Sequence, residues 1–260
     1  MELVKNTEHI AIAKGFGVKE FGELLESVMG RENKHTQKKS FAPSSLGYSG
    51  SCPRYWYYAF NGAEFEYEND GPSIANMDAG TAAGQRLANL LEKAGILVEA
   101  ETPVEHSDPP IFGYMDALVN WKGERVPIEI KTTKTETFQT RVQKGAVPGY
   151  QLVQLLIYMY VLGYERGFFL TENKNTHELF ILPIRMTDEN RKLVEDVFEW
   201  MRKVKDNANN GDLPTRPFTK SSFQCKGCAV KNTCWPEGRY SKSKDKSPGV
   251  VDLPPLVIPK

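Results

Sequence analysis

Ile111-Phe112-Gly113-Tyr114-Met115-Asp116-Ala117-Leu118-Val119-Asn120-Trp121 is followed, across Lys122-Gly123-Glu124, by Arg125-Val126-Pro127-Ile128-Glu129-Ile130-Lys131-Thr132. Both runs are rich in β-branched and aromatic residues, and the Lys-Gly pair between them predicts two strands joined by a turn. Strand side chains alternate faces, so Val126, Ile128 and Ile130 share one side while Glu129 and Lys131 share the other. Opposite charges two residues apart make a common surface salt bridge, and alone this pair would say no more. Asp116 changes the reading. It sits inside an apolar run, where an unpaired charge is costly, and its carboxylate calls for a cation. If the two strands are neighbours, Asp116 and Glu129 can share one divalent metal and Lys131 can reach the same point. Two hard carboxylates suit Mg2+ or Mn2+, which polarises a phosphate and activates a bound water. A lysine beside them orients that water or offsets charge developing in the transition state. This set is suited to phosphodiester hydrolysis.

Outward from this pair, Leu97–His106 reads as a further strand, preceded by a helix from about Ile74 to Ala94 with Ser73 as N-cap and Gly95 as stop. Pro148 opens a helix that Gly163 ends; Arg166–Thr171 and Glu178–Ile184 read as a hairpin, and Thr187 to about Asn207 as a helix. Near the start, Phe21, Leu24, Leu25 and Val28 line one side of a helix from Val18 to Met29. This order predicts an α/β (α+β) sandwich built on a mixed sheet. In the helix from Pro148, Leu152, Leu155, Leu156, Met159 and Leu162 form one stripe, and Val153, Ile157 and Val161 cover much of the rest. Gln151, Gln154 and Tyr158 remain as a narrow polar strip. Such a strip either satisfies hydrogen bonds within the core or meets something polar, and the acidic strands supply the second.

The four cysteines fall as Cys52 and then Cys225-Lys226-Gly227-Cys228 with Cys234. Three thiols within ten residues, among Lys226, Gly227, Lys231 and Asn232, do not resemble core packing. With Cys52 they supply four thiolates, which suit zinc or an iron–sulfur cluster; softness alone does not choose. Composition is ordinary, with hydrophobic residues at 40% and charged residues at 25%. The 33 basic and 33 acidic residues cancel, so contact with nucleic acid needs a local patch. Lys220, Lys226, Lys231 and Arg239 around the cysteines form one candidate. Lys134, Arg141 and Lys144, expected on a loop at the cleft rim, form another. Tyr55, Trp56, Tyr57 and Tyr58 are core residues or, for one or two of them, base-stacking surfaces. No apolar run is long enough for a membrane span. The opening Met1-Glu2-Leu3-Val4-Lys5 lacks a secretory pattern, so the expected location is the cytoplasm.

Gly113-x-x-Asp116, Glu129-x-Lys131 and Gln154-x3-Tyr158 together resemble the motifs of RecB-like PD-(D/E)XK nucleases, and Cys52-Pro53-Arg54 with C-x2-C-x5-C resembles their iron–sulfur branch. That branch includes AddB-type nuclease domains, CRISPR-associated adaptation exonucleases and phage exonucleases, and the lead-in Phe41-Ala42-Pro43-Ser44-Ser45-Leu46-Gly47 is also similar to phage relatives. The resemblance implies a restriction-endonuclease-like sheet with a helical cysteine lobe from about 44–62 and 215–235. It places the nuclease domain at 41–235, a helical extension at 1–40 and a disordered tail at 236–260. It implies Asp116 and Glu129 as metal ligands with the Ile130 carbonyl, Lys131 as catalytic lysine, and Gln154 and Tyr158 as positioning groups. Cys52, Cys225, Cys228 and Cys234 would hold a [4Fe–4S] cluster beside a passage for single-stranded DNA. The implied activity is a DNA exonuclease in a prokaryotic or phage-infected cell, with recombination, repair or spacer-acquisition proteins as partners. The other reading is a nonenzymatic or partner-dependent nucleic-acid-binding subunit with a four-cysteine zinc or iron–sulfur site, and Val250–Leu256 would suit a docking peptide. Two departures stand out. The histidine that many relatives carry in the preceding helix is absent, Gly84 and Gln85 standing there, and Met115 replaces the proline of "PD". His106, at a strand end, reads as a surface or hinge residue.

Overall fold

The computed structural model describes residues 17–28, 37–66, 71–236 and 251–258. The chain divides into two units, residues 1–32 with 69–78 and residues 33–68 with 79–260. The smaller contains helix α1 (Val18–Val28) and the first turns of α3 (Gly71–Lys93). Ser73 lies inside the first turn of α3 and not at its cap.

In the larger unit a five-stranded sheet keeps chain order in space: β1 (Leu97–His106), β2 (Ile111–Trp121), β3 (Glu124–Thr133), β4 (Arg166–Asn173) and β5 (Leu179–Arg185). All neighbours are antiparallel except β3 and β4, which are parallel. A parallel pair needs a long crossover. Here it is α4 (Thr135–Lys144) and α5 (Gly149–Leu162), which join β3 to β4. The mixed sheet matches expectation. The α4 helix does not, because its segment was expected to be loop. Its only large apolar residues, Phe138 and Val142, make too sparse a pattern to read, yet Phe138 and Arg141 are buried and Gly145 closes the helix at φ 55°.

The sheet separates two apolar layers. On one face Leu87 of α3 packs with Val119, Val126, Ile128, Ile130 and Leu170. The other core layer contains α5 and α6 (Asp188–Asn210), with Val153, Leu155, Leu156, Ile157 and Met159 of α5 wholly buried. A helix apolar around most of its circumference has to be enclosed, and α5 packs against β1, β3, β4 and α6. Gly167 of β4 allows this approach: a Cβ there would fall 2.8 Å from the Met159 sulfur.

The cysteine-bearing segments form a lobe on the same unit. Two 3-10 turns, Pro43–Ser45 and Tyr48–Ser51, lead into α2 (Pro53–Phe60). The short helices α7 (Phe223–Lys226) and α8 (Lys231–Cys234) meet them, with Ala59 and Phe65 packed on Ala229 and Val230. The aromatic run serves mainly this packing. Trp56 is fully buried, and Tyr55 and Tyr57 pack on the main core. The tail also departs from expectation. Residues 251–258 are docked, with Leu253 and Leu256 buried, Trp200 Nε1 donating to the Pro254 carbonyl at 2.9 Å, and the Leu256 N–H donating to Ser51. Apolar side chains at intervals within a Ser-, Lys- and Pro-rich stretch were enough to anchor it, so the suspected docking peptide docks on its own chain. Residues 237–250, with Arg239 and Val250, lie outside the described residues. No single helix among the described residues is long and apolar enough to cross a membrane.

Candidate active site

Pairing of β2 with β3 runs from Trp121–Glu124 to Ala117–Ile128 and stops there. Beyond that point Asp116 reaches across, and its Oδ2 accepts the Ile130 N–H at 2.6 Å. Glu129 is fully buried. One of its oxygens pairs with the Lys131 ammonium, and Oε2 has no hydrogen-bond partner. Burial and the nearby Asp116 push the Glu129 carboxyl up to about 8. Asp116 is also raised by burial, against the pull of Lys131 and the Ile130 N–H. Burial draws the Lys131 ammonium down, but Glu129 and Asp116 outweigh it and leave it above the ordinary lysine value. The three side chains predicted to converge do so, on a surplus of negative charge.

Gln154 and Tyr158 close the buried side. Gln154 hydrogen-bonds Tyr158, whose hydroxyl is driven upward by burial and by Glu129. Gly113 has a role here: a Cβ would lie 2.7 Å from the Tyr158 hydroxyl, so a larger residue would have to displace the tyrosine. Gln151, the third member of the polar strip, accepts from Arg141 Nη2 at 2.9 Å. Arg141 was expected on an exposed rim. It is buried in α4, close enough to Lys131 to lower its proton affinity, while Lys134 and Lys144 stay exposed at the helix ends.

On the open side lies a cleft of about 330 Å³, bounded by Gly84 and Gln85 of α3, Glu101, Asp116, Ile130 and Lys131. Glu101 escaped the sequence reading. It sits in β1 with a left-handed backbone (φ 53°), and burial with the charge of Asp116 raises its carboxyl. In sequence it looks like one more exposed charge of an edge strand. Over the cleft α3 is tied down by Arg86, whose guanidinium grips both oxygens of buried Glu172. His177 Nδ1 is 2.9 Å from the same carboxylate.

A profile of the PD-(D/E)XK nuclease superfamily matches residues 78–235, from α3 to just past the last cysteine. The chain belongs to the PD-(D/E)XK nuclease superfamily. Two solved structures share the fold of this PD-(D/E)XK chain. The crystal structure of LHK-Exo in complex with dAMP is 17% identical, with a TM-score of 0.52, covering 66% of this chain and 90% of that one. The crystal structure of an alkaline exonuclease (LHK-Exo) from Laribacter hongkongensis is 15% identical, with a TM-score of 0.53, covering 67% and 92%. No curated protein sequence matches significantly.

The cysteines of this superfamily member gather at the lobe. Cys52 stands at the N-cap of α2 without a side-chain capping hydrogen bond, and the nearby Tyr55 and Arg54 N–H groups favour its thiolate form. Burial pushes this thiol up to about 12, aided by repulsion from Cys234 and Cys228. Burial likewise lifts Cys228 to about 11, with Cys225 and Cys234 adding to it and the Val230 N–H and Ser49 hydroxyl opposing. Cys234 is raised by burial, while Arg54 and Arg216 pull it down. As they stand, no three His, Cys, Asp or Glu side chains among the described residues are arranged to hold a metal ion. The thiols are gathered without being closed around a centre. His106 packs on Phe198 at 5.0 Å, with Nδ1 against the Pro109 carbonyl, so it fastens the β1–β2 connection and takes no part in the site.

Proposed function

We propose that this PD-(D/E)XK chain is a Mg2+- or Mn2+-dependent DNA exonuclease of the RecB-like iron–sulfur branch, acting on single strands or DNA ends. The observation that carries the reading is the Glu129 carboxylate, fully buried with Oε2 unpartnered, beside Asp116 and Lys131. A buried carboxylate oxygen without a donor is a costly arrangement that a hard cation relieves. The Asp116 and Glu129 side chains with the Ile130 carbonyl would hold that cation. When bound, the cation would polarise the scissile phosphate and lower the pKa of a coordinated water.

The protein's own groups do the rest. Lys131 stays charged, held by Glu129, and donates to the attacking water or to the phosphate oxygens as charge builds on them. Arg141 adds a second positive charge, fixed by Gln151. Tyr158 and Gln154 brace the Glu129 side of the site against water. Exonuclease action is suggested by the motif resemblance and by the alkaline exonuclease that shares this fold.

An anionic tetrathiolate centre would be favoured by the Val230 N–H and Ser49 hydroxyl at Cys228 and by Arg54 and Arg216 at Cys234. Cys52, Cys225, Cys228 and Cys234 would hold a [4Fe–4S] cluster, and zinc would satisfy the same donors. Either group would cross-link the two halves of the lobe.

The test is anaerobic purification followed by incubation with end-labelled single- and double-stranded DNA and Mn2+. Glu129→Ala and Lys131→Ala are expected to lose at least about 10²- to 10³-fold in rate, while visible absorbance from iron is kept. Undiminished cleavage by Glu129→Ala would overturn the mechanism.

A further inference from the structure

Single exposed apolar residues are ordinary on protein surfaces. Three aromatic rings outside the core, drawn from distant segments with one touching the other two, are not. Tyr48 and Phe223 are 53% and 65% exposed. The Tyr48 ring centroid lies 5.2 Å from that of Tyr150 and 5.0 Å from that of Phe223. Tyr48 belongs to the 3-10 turn before Cys52, Phe223 opens α7 two residues before Cys225, and Tyr150 lies in the first turn of α5. From these contacts we propose that Tyr48, Tyr150 and Phe223 form a stacking platform for the unpaired bases of a DNA strand entering the cleft. The proposal rests on the nuclease reading above and supplies its contact with single strands.

The platform is built, not left over. Gly47 lies flat against Tyr150, and a Cβ there would fall 2.8 Å from two ring carbons. Tyr48 is held at φ 50°, a backbone region that a bulky residue keeps only where its surroundings enforce it. Little burial is gained at Tyr48 in return. A route also leads from the rings to the chemistry. The Gln151 amide donates to the Tyr150 hydroxyl at 3.4 Å and its oxygen accepts from Arg141, which acts electrostatically on Lys131.

Charge selects the occupant. Exposed Lys226 lies three residues after Phe223, on the same side of α7. Buried Arg141 lies at the other end of the route. Ring faces beside an exposed lysine suit a chain that alternates bases with phosphates. A duplex keeps its base faces stacked internally and cannot use such a platform. Tyr55, Trp56 and Tyr57, the aromatics most obvious in the sequence, are committed to packing.

The experiment measures fluorescence anisotropy of labelled oligothymidine, an abasic strand of equal length and a blunt duplex, with EDTA present to prevent cleavage. The Tyr48→Ala/Phe223→Ala double variant should bind oligothymidine about 5- to 100-fold more weakly than wild type. On the abasic strand and the duplex it should match wild type, and Phe223→Trp should restore most of the lost affinity. An equal loss on thymidine and abasic strands would overturn the proposal, because it would mark a disturbed lobe. Unchanged binding by the double variant, or no binding of oligothymidine by wild type, would overturn it as well. Lys131→Ala separates the two readings. Cleavage by that variant sinks the nuclease mechanism and leaves the binding result standing, whereas normal binding without cleavage supports both.

Discussion

The protein gathers ionisable side chains at two places, and it builds them differently. Asp116, Glu129 and Lys131 stand on adjacent strands of the central sheet, where backbone pairing fixes their spacing and Lys131 with the Ile130 N–H offsets part of the charge. Cys52 and the Cys225–Cys234 group stand on short helices and turns that the chain brings together from far apart. Burial raises the thiols of Cys52, Cys228 and Cys234, and Cys228 packs against the small cluster of Ala59, Phe65, Ala229 and Val230. The carboxylate centre is therefore assembled before any cation arrives, at a cost to the fold. On the proposed reading, the cysteine centre would need its metal group in order to close. Loss of a ligand should have opposite consequences for stability at the two places.

The largest effect is expected at the lobe. On the proposed tetrathiolate reading, Cys52→Ser or Cys225→Ser would open a link across a long stretch of chain, and a cross-link of that kind contributes about 2–5 kcal/mol. Thermal unfolding of the holoprotein should shift down accordingly, with bound iron or zinc reduced in elemental analysis. The sheet centre should survive, seen as residual Mn2+-dependent cleavage. A Cys225→Ser protein as stable as wild type would mean that the apolar cluster under the lobe holds it alone.

The carboxylate centre is expected to respond in the other direction. Glu129 in the folded, metal-free protein titrates near 8, far above an ordinary carboxyl. The native state therefore holds a proton that the unfolded chain releases near its ordinary, lower value, so stability falls as pH rises through that interval and levels off above about 8. Lys131, raised above its ordinary value, contributes stability throughout this window and loses it only at higher pH. Glu129→Gln should flatten the slope and stabilise the metal-free protein at pH 8 by about 1–3 kcal/mol. Mn2+ affinity of the wild type should climb toward pH 8 by up to about tenfold per unit, as one proton is displaced. Urea denaturation across pH 5–9 and metal titration by calorimetry read the two effects. An unchanged slope in Glu129→Gln would mean that another group carries the buried charge.

The sheet centre was legible in the sequence and the surroundings of both centres were not, for one physical reason. An aspartate inside Ile111–Val119 and a Glu-x-Lys on the next strand are local patterns, and adjacent strands turn them into contacts without further information. Gln154 and Tyr158 were legible because a helix apolar on all other sides makes its polar strip conspicuous. Glu101 was not, since its approach to Asp116 depends on an irregular β1 and a left-handed backbone that nothing in Val98-Glu99-Ala100-Glu101 announces. Arg141 reads as a rim cation because α4 shows so little apolar periodicity. Tyr48, Tyr150 and Phe223 stand far apart in the chain, and only the folded lobe brings them together, while the conspicuous Tyr55–Tyr58 run disappears into packing. The docked residues 251–258 were hidden by the composition around them.

The smallest effect sharpens the contrast by testing how rigidly the sheet centre is braced. Gly113→Ala adds one methyl group in a space that the Tyr158 hydroxyl already fills, with the Pro43 ring 3.3 Å away on another side. The strand conformation itself suits alanine, so the whole penalty is steric. Overpacking at the low end of its range costs about 1 kcal/mol. Because Tyr158 abuts Glu129 electrostatically, cleavage should fall as well. Tyr158→Phe removes the clashing oxygen, and in that background Gly113→Ala should cost clearly less than it does alone. Unfolding midpoints of the two single variants and the double variant give this coupling directly. Additive losses would show that the tyrosine moves aside freely and that the brace behind Glu129 is soft. A strong coupling would show that the sheet holds its carboxylates against a fixed wall, which the cysteine lobe lacks.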